Sequence, residues 1–135
     1  MDEIVARKLE SLGRCIKRIN ENLPESEEDL AGDVDAQDII ALNLERAIQM
    51  CVDIAAHLLS LSDQPLPETM AQLFVAQAEA GIIDPALAQS LRNAVGLRNL
   101  ALHDYSALDW KQLHEYLPRA LNDLREYSRA IASPP

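Results

Sequence analysis

Aromatic side chains are scarce in this 135-residue chain, which holds one Trp, one Phe and three Tyr. Hydrophobic residues still make up 48% of it. Its core must therefore be aliphatic, and no platform of rings is available on which bases could stack. Glycine is sparse too, at four residues, and none builds a phosphate-cradling loop. There is no run of roughly eighteen apolar residues of the kind that crosses a bilayer, and no basic-then-apolar start of the secretory type. The chain is expected to be cytoplasmic, without a membrane partner. Its two cysteines, Cys15 and Cys51, fall within helical apolar patterns. They read as buried small hydrophobes of a reducing compartment rather than as a disulfide or metal pair. The three histidines lack the Cys or acidic spacing of a zinc site, so neither metal nor cofactor is expected.

Positive charge is also in short supply. Twelve Lys and Arg face 22 Asp and Glu, for a net charge of −10 and a pI near 4.6. That balance counts against broad nucleic-acid binding, which Lys and Arg drive by meeting phosphates. The basic residues are grouped, however: Arg7, Lys8, Arg14, Lys17 and Arg18, then Arg92 and Arg98, then Arg119, Arg125 and Arg129. The last group reads as a solvated helix face that could also guide RNA. Much of the acid lies between Glu21 and Asp38, where it either keeps the chain soluble or binds a basic partner.

What the chain does have is helical periodicity. Val5, Leu9, Leu12, Ile16, Ile19 and Leu23 step by fours and threes, the seam of an amphipathic helix; Gly13 within it suggests a close helix approach. Asn22 to Asp35, with Pro24, Gly32 and a run of acids, reads as a solvated loop with at most a short helical start at Glu25. A second helix is expected from Asp35 or Asp38 to about Ser60, with an apolar stripe wide enough to make it central. Gln64-Pro65-Leu66-Pro67 ends it. A shorter helix over 68–80 is expected to bury Met70, Leu73 and Phe74 and to end at a Gly81 cap. Asp84-Pro85 opens the next helix, to about Leu102. Asp109 caps the last, in which Pro118 marks a kink or junction. No strand-like alternation or internal repeat appears. The pattern predicts an all-α, up-and-down bundle of four main helices plus a short one. Residues 1–131 form a single domain and 132–135 a frayed tail.

The chemistry concentrates in one string, Arg98-Asn99-Leu100-Ala101-Leu102-His103-Asp104-Tyr105. Arginine grips phosphate with a permanently charged planar fork, and histidine exchanges a proton near neutral pH. The pair suits phosphodiester cleavage, in which a proton must move and an anionic transition state must be stabilised. On a straight helix five residues turn about 500°, which leaves Arg98 and His103 about 140° apart, whereas Asn99 and His103 share a face. Either the helix loosens near its end, or a second copy completes the site.

The form R-x4-H-x-Y resembles the signature of HEPN-type ribonucleases, and most closely the HepT-like toxins encoded beside a minimal nucleotidyltransferase. The resemblance extends to 43–57, which is similar to the family's second helix, and to Gly81-Ile82-Ile83, Leu87 and Gly96-Leu97-Arg98-Asn99 on the approach to the motif. It implies a homodimer whose motifs face each other in a cleft, and a metal-independent endoribonuclease working through the RNA 2′-hydroxyl. In that scheme His103 is the general acid or base and Arg98 holds the phosphate. Asn99 orients His103 or donates a hydrogen bond, and Tyr105 contacts phosphate at the cleft mouth. It further implies that a cognate nucleotidyltransferase antitoxin silences the toxin by transferring AMP to Tyr105, whose added charge repels RNA.

Other readings stand beside this one. Without the resemblance, Arg98 and His103 are simply cations near the negative end of a helix dipole. The fold could serve as a non-catalytic helical binding partner of a nucleotidyltransferase, which the acidic pI favours, or as a plain dimerisation bundle. His57, four residues after Asp53, reads as a satisfied structural histidine, and His114 as facing solvent or a partner. Ser90 and Ser106 have no general base at an identifiable spacing.

Overall fold

Six α-helices and one 3₁₀ turn make up the described residues, 1–133, of the computed structural model, and no strand occurs among them. Helix α1 (Glu3–Asn22) is capped by Asp2, whose carboxylate accepts from the Ile4 and Val5 amides. It buries Val5, Leu12, Ile16 and Ile19 of the expected seam, with Cys15 beside them, chiefly against α3, while Leu9 and Leu23 are only partly buried. Helix α3 (Val34–Ser60) is 27 residues long, about 40 Å, and touches all the other helices. Its apolar stripe is wide because it has neighbours on several sides. Helix α4 (Met70–Glu79) lies along α5 (Pro85–His103), and α6 (Trp110–Ala132) closes the bundle against α1, the short α2 (Glu27–Ala31) and α5.

Helix ends follow local chemistry. Thr69 caps α4 through the Gln72 amide, and Asp109 caps α6 through the Lys111 and Gln112 amides. Gly81 follows α4 with φ 78°, the left-handed conformation that favours glycine. There its N–H reaches Ala78 O at 3.0 Å and the Ile82 N–H reaches Gln77 O at 2.9 Å, a Schellman termination. Pro85 opens α5, but the Asp84 side chain makes no cap bond.

The core is mostly aliphatic, with one aromatic pair at its centre. Phe74 and Tyr127 meet edge to face at 5.8 Å and 89°, a favourable geometry for two rings. The Tyr127 hydroxyl donates to Gln77 Oε1 at 2.9 Å, which accounts for a buried glutamine in α4. Cys15 and Cys51 are both buried free thiols.

Several expectations are corrected. The Asn22–Asp35 segment is not simply a solvated loop: it contains α2 (Glu27–Ala31), capped by Ser26, whose Leu30 is fully buried. The acids surrounding it concealed one anchoring side chain. Helix α3 starts at Val34, with Asp33 as its cap. Met70 is exposed rather than buried, because it lies on the first turn of α4. Gly13 faces solvent with nothing near its Cα, so no close helix approach occurs there. Helix α6 continues through Pro118, so no junction falls at that point. Of the tail expected over 132–135, Ala132 is helical, Ser133 caps α6, and Pro134 and Pro135 lie outside the described residues.

Candidate active site

Helix α5 stays regular up to His103 and is terminated by the Asp104 N–H bonding to Leu100 O at 2.8 Å. It does not loosen. Arg98 and His103 are therefore separated around the helix, as the 3.6-residue period requires. A 3₁₀ turn, Tyr105–Ala107, follows immediately and carries Tyr105 back toward the start of α3.

Arg98 is half-buried and turned toward α3. Its Nη2 donates to Gln49 Oε1 at 2.7 Å, and Nη1 reaches Asn99 Oδ1 at 3.3 Å and Met70 Sδ at 3.8 Å. The Nε–H is buried and, among the described residues, has no partner. Gln49 is held in turn, because its Nε2 donates to Asp53 Oδ1 at 2.8 Å. Asp53 Oδ2 pairs with Lys8 Nζ at 3.2 Å. A polar chain thus runs from α1 through α3 to the guanidinium, fixing its position while leaving one N–H unmatched. A buried unmatched donor is unfavourable by about 1–3 kcal/mol.

His103 is exposed in the last turn of α5, and among the described residues its ring makes no hydrogen bond. Asn99 is exposed as well, and its carbonyl oxygen is engaged by Arg98 rather than by His103. The Tyr105 hydroxyl donates to Asp38 Oδ1 at 2.7 Å, and its ring leans on Trp110 at 6.0 Å. Partial burial, then the Asp38 carboxylate, push the phenol up to about 12. Beside Arg98 lies an apolar pocket of about 20 Å³ lined by residues such as Leu44, Leu97, Ala101, Trp110 and Leu117. That is room for about one water, not a nucleotide. A single chain thus presents the motif on an open surface: an anchored cation, a free imidazole and a tethered phenol.

Asp38 and Gln49 were not among the site residues expected from the sequence. Gln49 did leave a trace, a polar residue within the apolar stretch Ala47 to Val52. Asp38 looked only like a helix start. The remaining histidines are structural. His57 is satisfied as expected, but by Asp2 at 2.7 Å, while Asp53 serves Gln49 and Lys8. The His114 ring bonds to Pro24 O at 2.8 Å, so it ties α6 to the α1–α2 connection instead of facing solvent.

The helical bundle is that of a HEPN-type protein. The family model described as "Ribonuclease HepT-like" matches residues 12–131, and the chain belongs to that family. It is 31% identical to the mRNA nuclease HepT of Shewanella oneidensis over 131 residues, covering 97% of this chain and 98% of the relative. It is 28% identical to the tRNA nuclease HepT of Aphanizomenon flos-aquae over 130 residues, covering 96% and 88%. Among solved structures it superposes on the tri-AMPylated Shewanella oneidensis HEPN toxin in complex with its MNT antitoxin. The TM-score is 0.90 at 30% identity, over 97% of this chain and 98% of that one. A toxin–antitoxin crystal structure with AMP-PNP gives TM-score 0.89 at 30% identity, over 97% and 99%.

Proposed function

We propose that this chain is a ribonuclease toxin restrained by a partner nucleotidyltransferase. The named nucleases among its relatives and the toxin–antitoxin assemblies among its structural likenesses support the class. The observation that carries the residue-level reading is Arg98, anchored with an unpartnered Nε–H, five residues before an unencumbered His103 on an unbroken helix. In this scheme His103 takes the proton of the RNA 2′-hydroxyl or returns one to the leaving oxygen. Arg98 neutralises the phosphate as charge builds on it, and Asn99 holds the guanidinium from the side. The reaction needs no metal, because the nucleophile belongs to the substrate.

Arg98 and His103 face different ways on one helix, so a second copy supplies the missing half. The working unit is a homodimer with the two motifs across a shared cleft. Tyr105 is the acceptor of AMP from the nucleotidyltransferase. The transferred phosphate adds negative charge beside Asp38, and RNA is then repelled from the site.

The test is induced expression of wild type, His103→Ala and Arg98→Ala, with cleavage assayed on purified, folded protein. Growth arrest and RNA cleavage are expected from wild type alone, unchanged by EDTA. Arrest by a folded His103→Ala chain would remove His103 from the chemistry, and activity lost in EDTA and restored by a divalent ion would end the metal-free scheme. A second reading, a non-catalytic partner of the nucleotidyltransferase, draws on the net charge of −10. A wild-type chain that binds that enzyme without cleaving RNA would establish it.

A further inference from the structure

The acidic balance of the chain hides a local exception between α1 and α3. Arg14 and Arg18 of α1 and Arg46 of α3 line one open groove of about 550 Å³, together with Asn43, Leu42 and Met50. No Asp or Glu lines it. Among the described residues Arg18 and Arg46 have no side-chain partner, and Arg14 reaches only Ser11 Oγ, at 3.0 Å. This contrasts with other cations of the same helices: Arg7 pairs with Glu3, Lys8 with Asp53 and Lys17 with Glu21. In a protein with 22 acids against 12 bases, three guanidiniums sharing a groove without a counter-charge depart from the surrounding pattern. Their approach from two helices is also registered by Cys15 between them. Burial raises that thiol, while Arg46 and Arg14 both pull it down.

We propose that this groove, whose lining includes none of the motif residues, is a binding site for the phosphate backbone of single-stranded RNA. The inference rests on the ribonuclease reading above and extends it. Guanidinium forks match phosphate oxygens in geometry as well as charge. Leu42 and Met50 add apolar surface to the lining, against which ribose and base edges can pack. Arg46 is one turn from Gln49, the residue that anchors Arg98, so a strand crossing α3 runs from the groove to the motif. The device answers the electrostatic objection to an acidic ribonuclease. Long-range repulsion by the net charge is screened within about 8 Å at physiological salt, and the local contacts are made by unpaired arginines.

The test uses the full-length chain and a short single-stranded RNA carrying 2′-O-methyl groups, which cannot be cut by 2′-hydroxyl attack. Binding is followed by fluorescence anisotropy across a salt series, with cleavage of ordinary RNA measured in parallel. Replacing Arg14, Arg18 and Arg46 by Gln is expected to weaken binding about tenfold and to reduce the log–log salt slope by about 2, three single-strand phosphate contacts at roughly 0.7 each. Replacing the same three by Lys should keep most of that slope. A control triple of Arg119→Gln, Arg125→Gln and Arg129→Gln removes the same charge from α6 and should bind nearly as wild type. Equal losses in the groove and control triples would reduce the effect to net charge and overturn the site. Unchanged binding by a folded groove triple, with wild type still cutting RNA, would overturn the groove alone. Wild type that neither binds nor cuts RNA would overturn both the groove and the ribonuclease reading. A groove triple that changes oligomeric state while binding RNA normally would assign the groove to an acidic protein surface instead.

Discussion

The Tyr105 hydroxyl donates a 2.7 Å hydrogen bond to Asp38, a residue 67 positions earlier in the chain. This bond joins the turn after α5 to the first turns of α3 and sets the direction of the phenol. Burial does most to keep the proton on the oxygen, and the bond to Asp38 and the repulsion between phenolate and carboxylate add to it. Asp38→Asn removes the repulsion and leaves the burial. The Tyr105 phenol should then fall from about 12 toward its usual value near 10. The fraction of phenolate at about pH 11, read by ultraviolet difference absorbance with Tyr105→Phe as the reference, should rise accordingly. No shift on Asp38→Asn would mean that the carboxylate does not govern this proton.

Gln49 holds the Arg98 guanidinium through a 2.7 Å hydrogen bond, and in the proposed mechanism it acts only through that bond. Loss of a hydrogen bond to a charged group is worth about 1.5–3 kcal/mol. Gln49→Ala should therefore lower kcat/KM for RNA roughly tenfold or more, through an Arg98 that is present but no longer held. In an Arg98→Ala background the same change should do almost nothing, since its only route is gone. Additive losses in the double variant would disconnect the two residues.

Leu30 is fully buried although most of its neighbours are acidic. Leu30→Ala should destabilise the chain by about 2–5 kcal/mol through lost transfer energy and the residual cavity. Exposed Glu27→Ala in the same helix should stay within about 0.5 kcal/mol. Urea unfolding monitored by circular dichroism compares them. Equal, small effects would return the segment to the status of a loop.

Asp2 gives a pH dependence with a definite sign. Its bond to His57 holds the carboxyl below the usual range, helped by the Ile4 and Val5 amides and opposed by partial burial. The folded state then binds fewer protons than the unfolded state in acid. The contribution is fully present above the ordinary carboxylate pKa, near 4, and is lost as pH falls through the lower folded value. The Tm of wild type should thus drop more steeply below about pH 4 than that of Asp2→Asn. Parallel Tm profiles would show that the bond carries no stability.

Much of the fold was legible because the periodicity is simple. The seam from Val5 to Ile19 had only one helical reading, and turn chemistry at Gly81, Pro85 and Asp109 placed three boundaries within a residue or two. The acid-rich stretch before α3 misled because a single anchoring residue such as Leu30 has no period. Met70 misled because an apolar side chain on the first turn of a helix can clear the core. At the site, the motif residues stood together in one string, but their partners did not.

The sequence by itself determined that this chain is an aliphatic helical bundle and that one short string brings an arginine, a histidine and a tyrosine together. Both follow from local rules, side-chain spacing on a 3.6-residue helix and the chemistry of Arg, His and Tyr. Only the tertiary structure decided that Arg98 leans on Gln49, that Tyr105 is tied to Asp38, and that His103 is left free. Those pairings join residues tens of positions apart, and a hydrogen bond a few ångströms long depends on how helices pack, which no local pattern encodes.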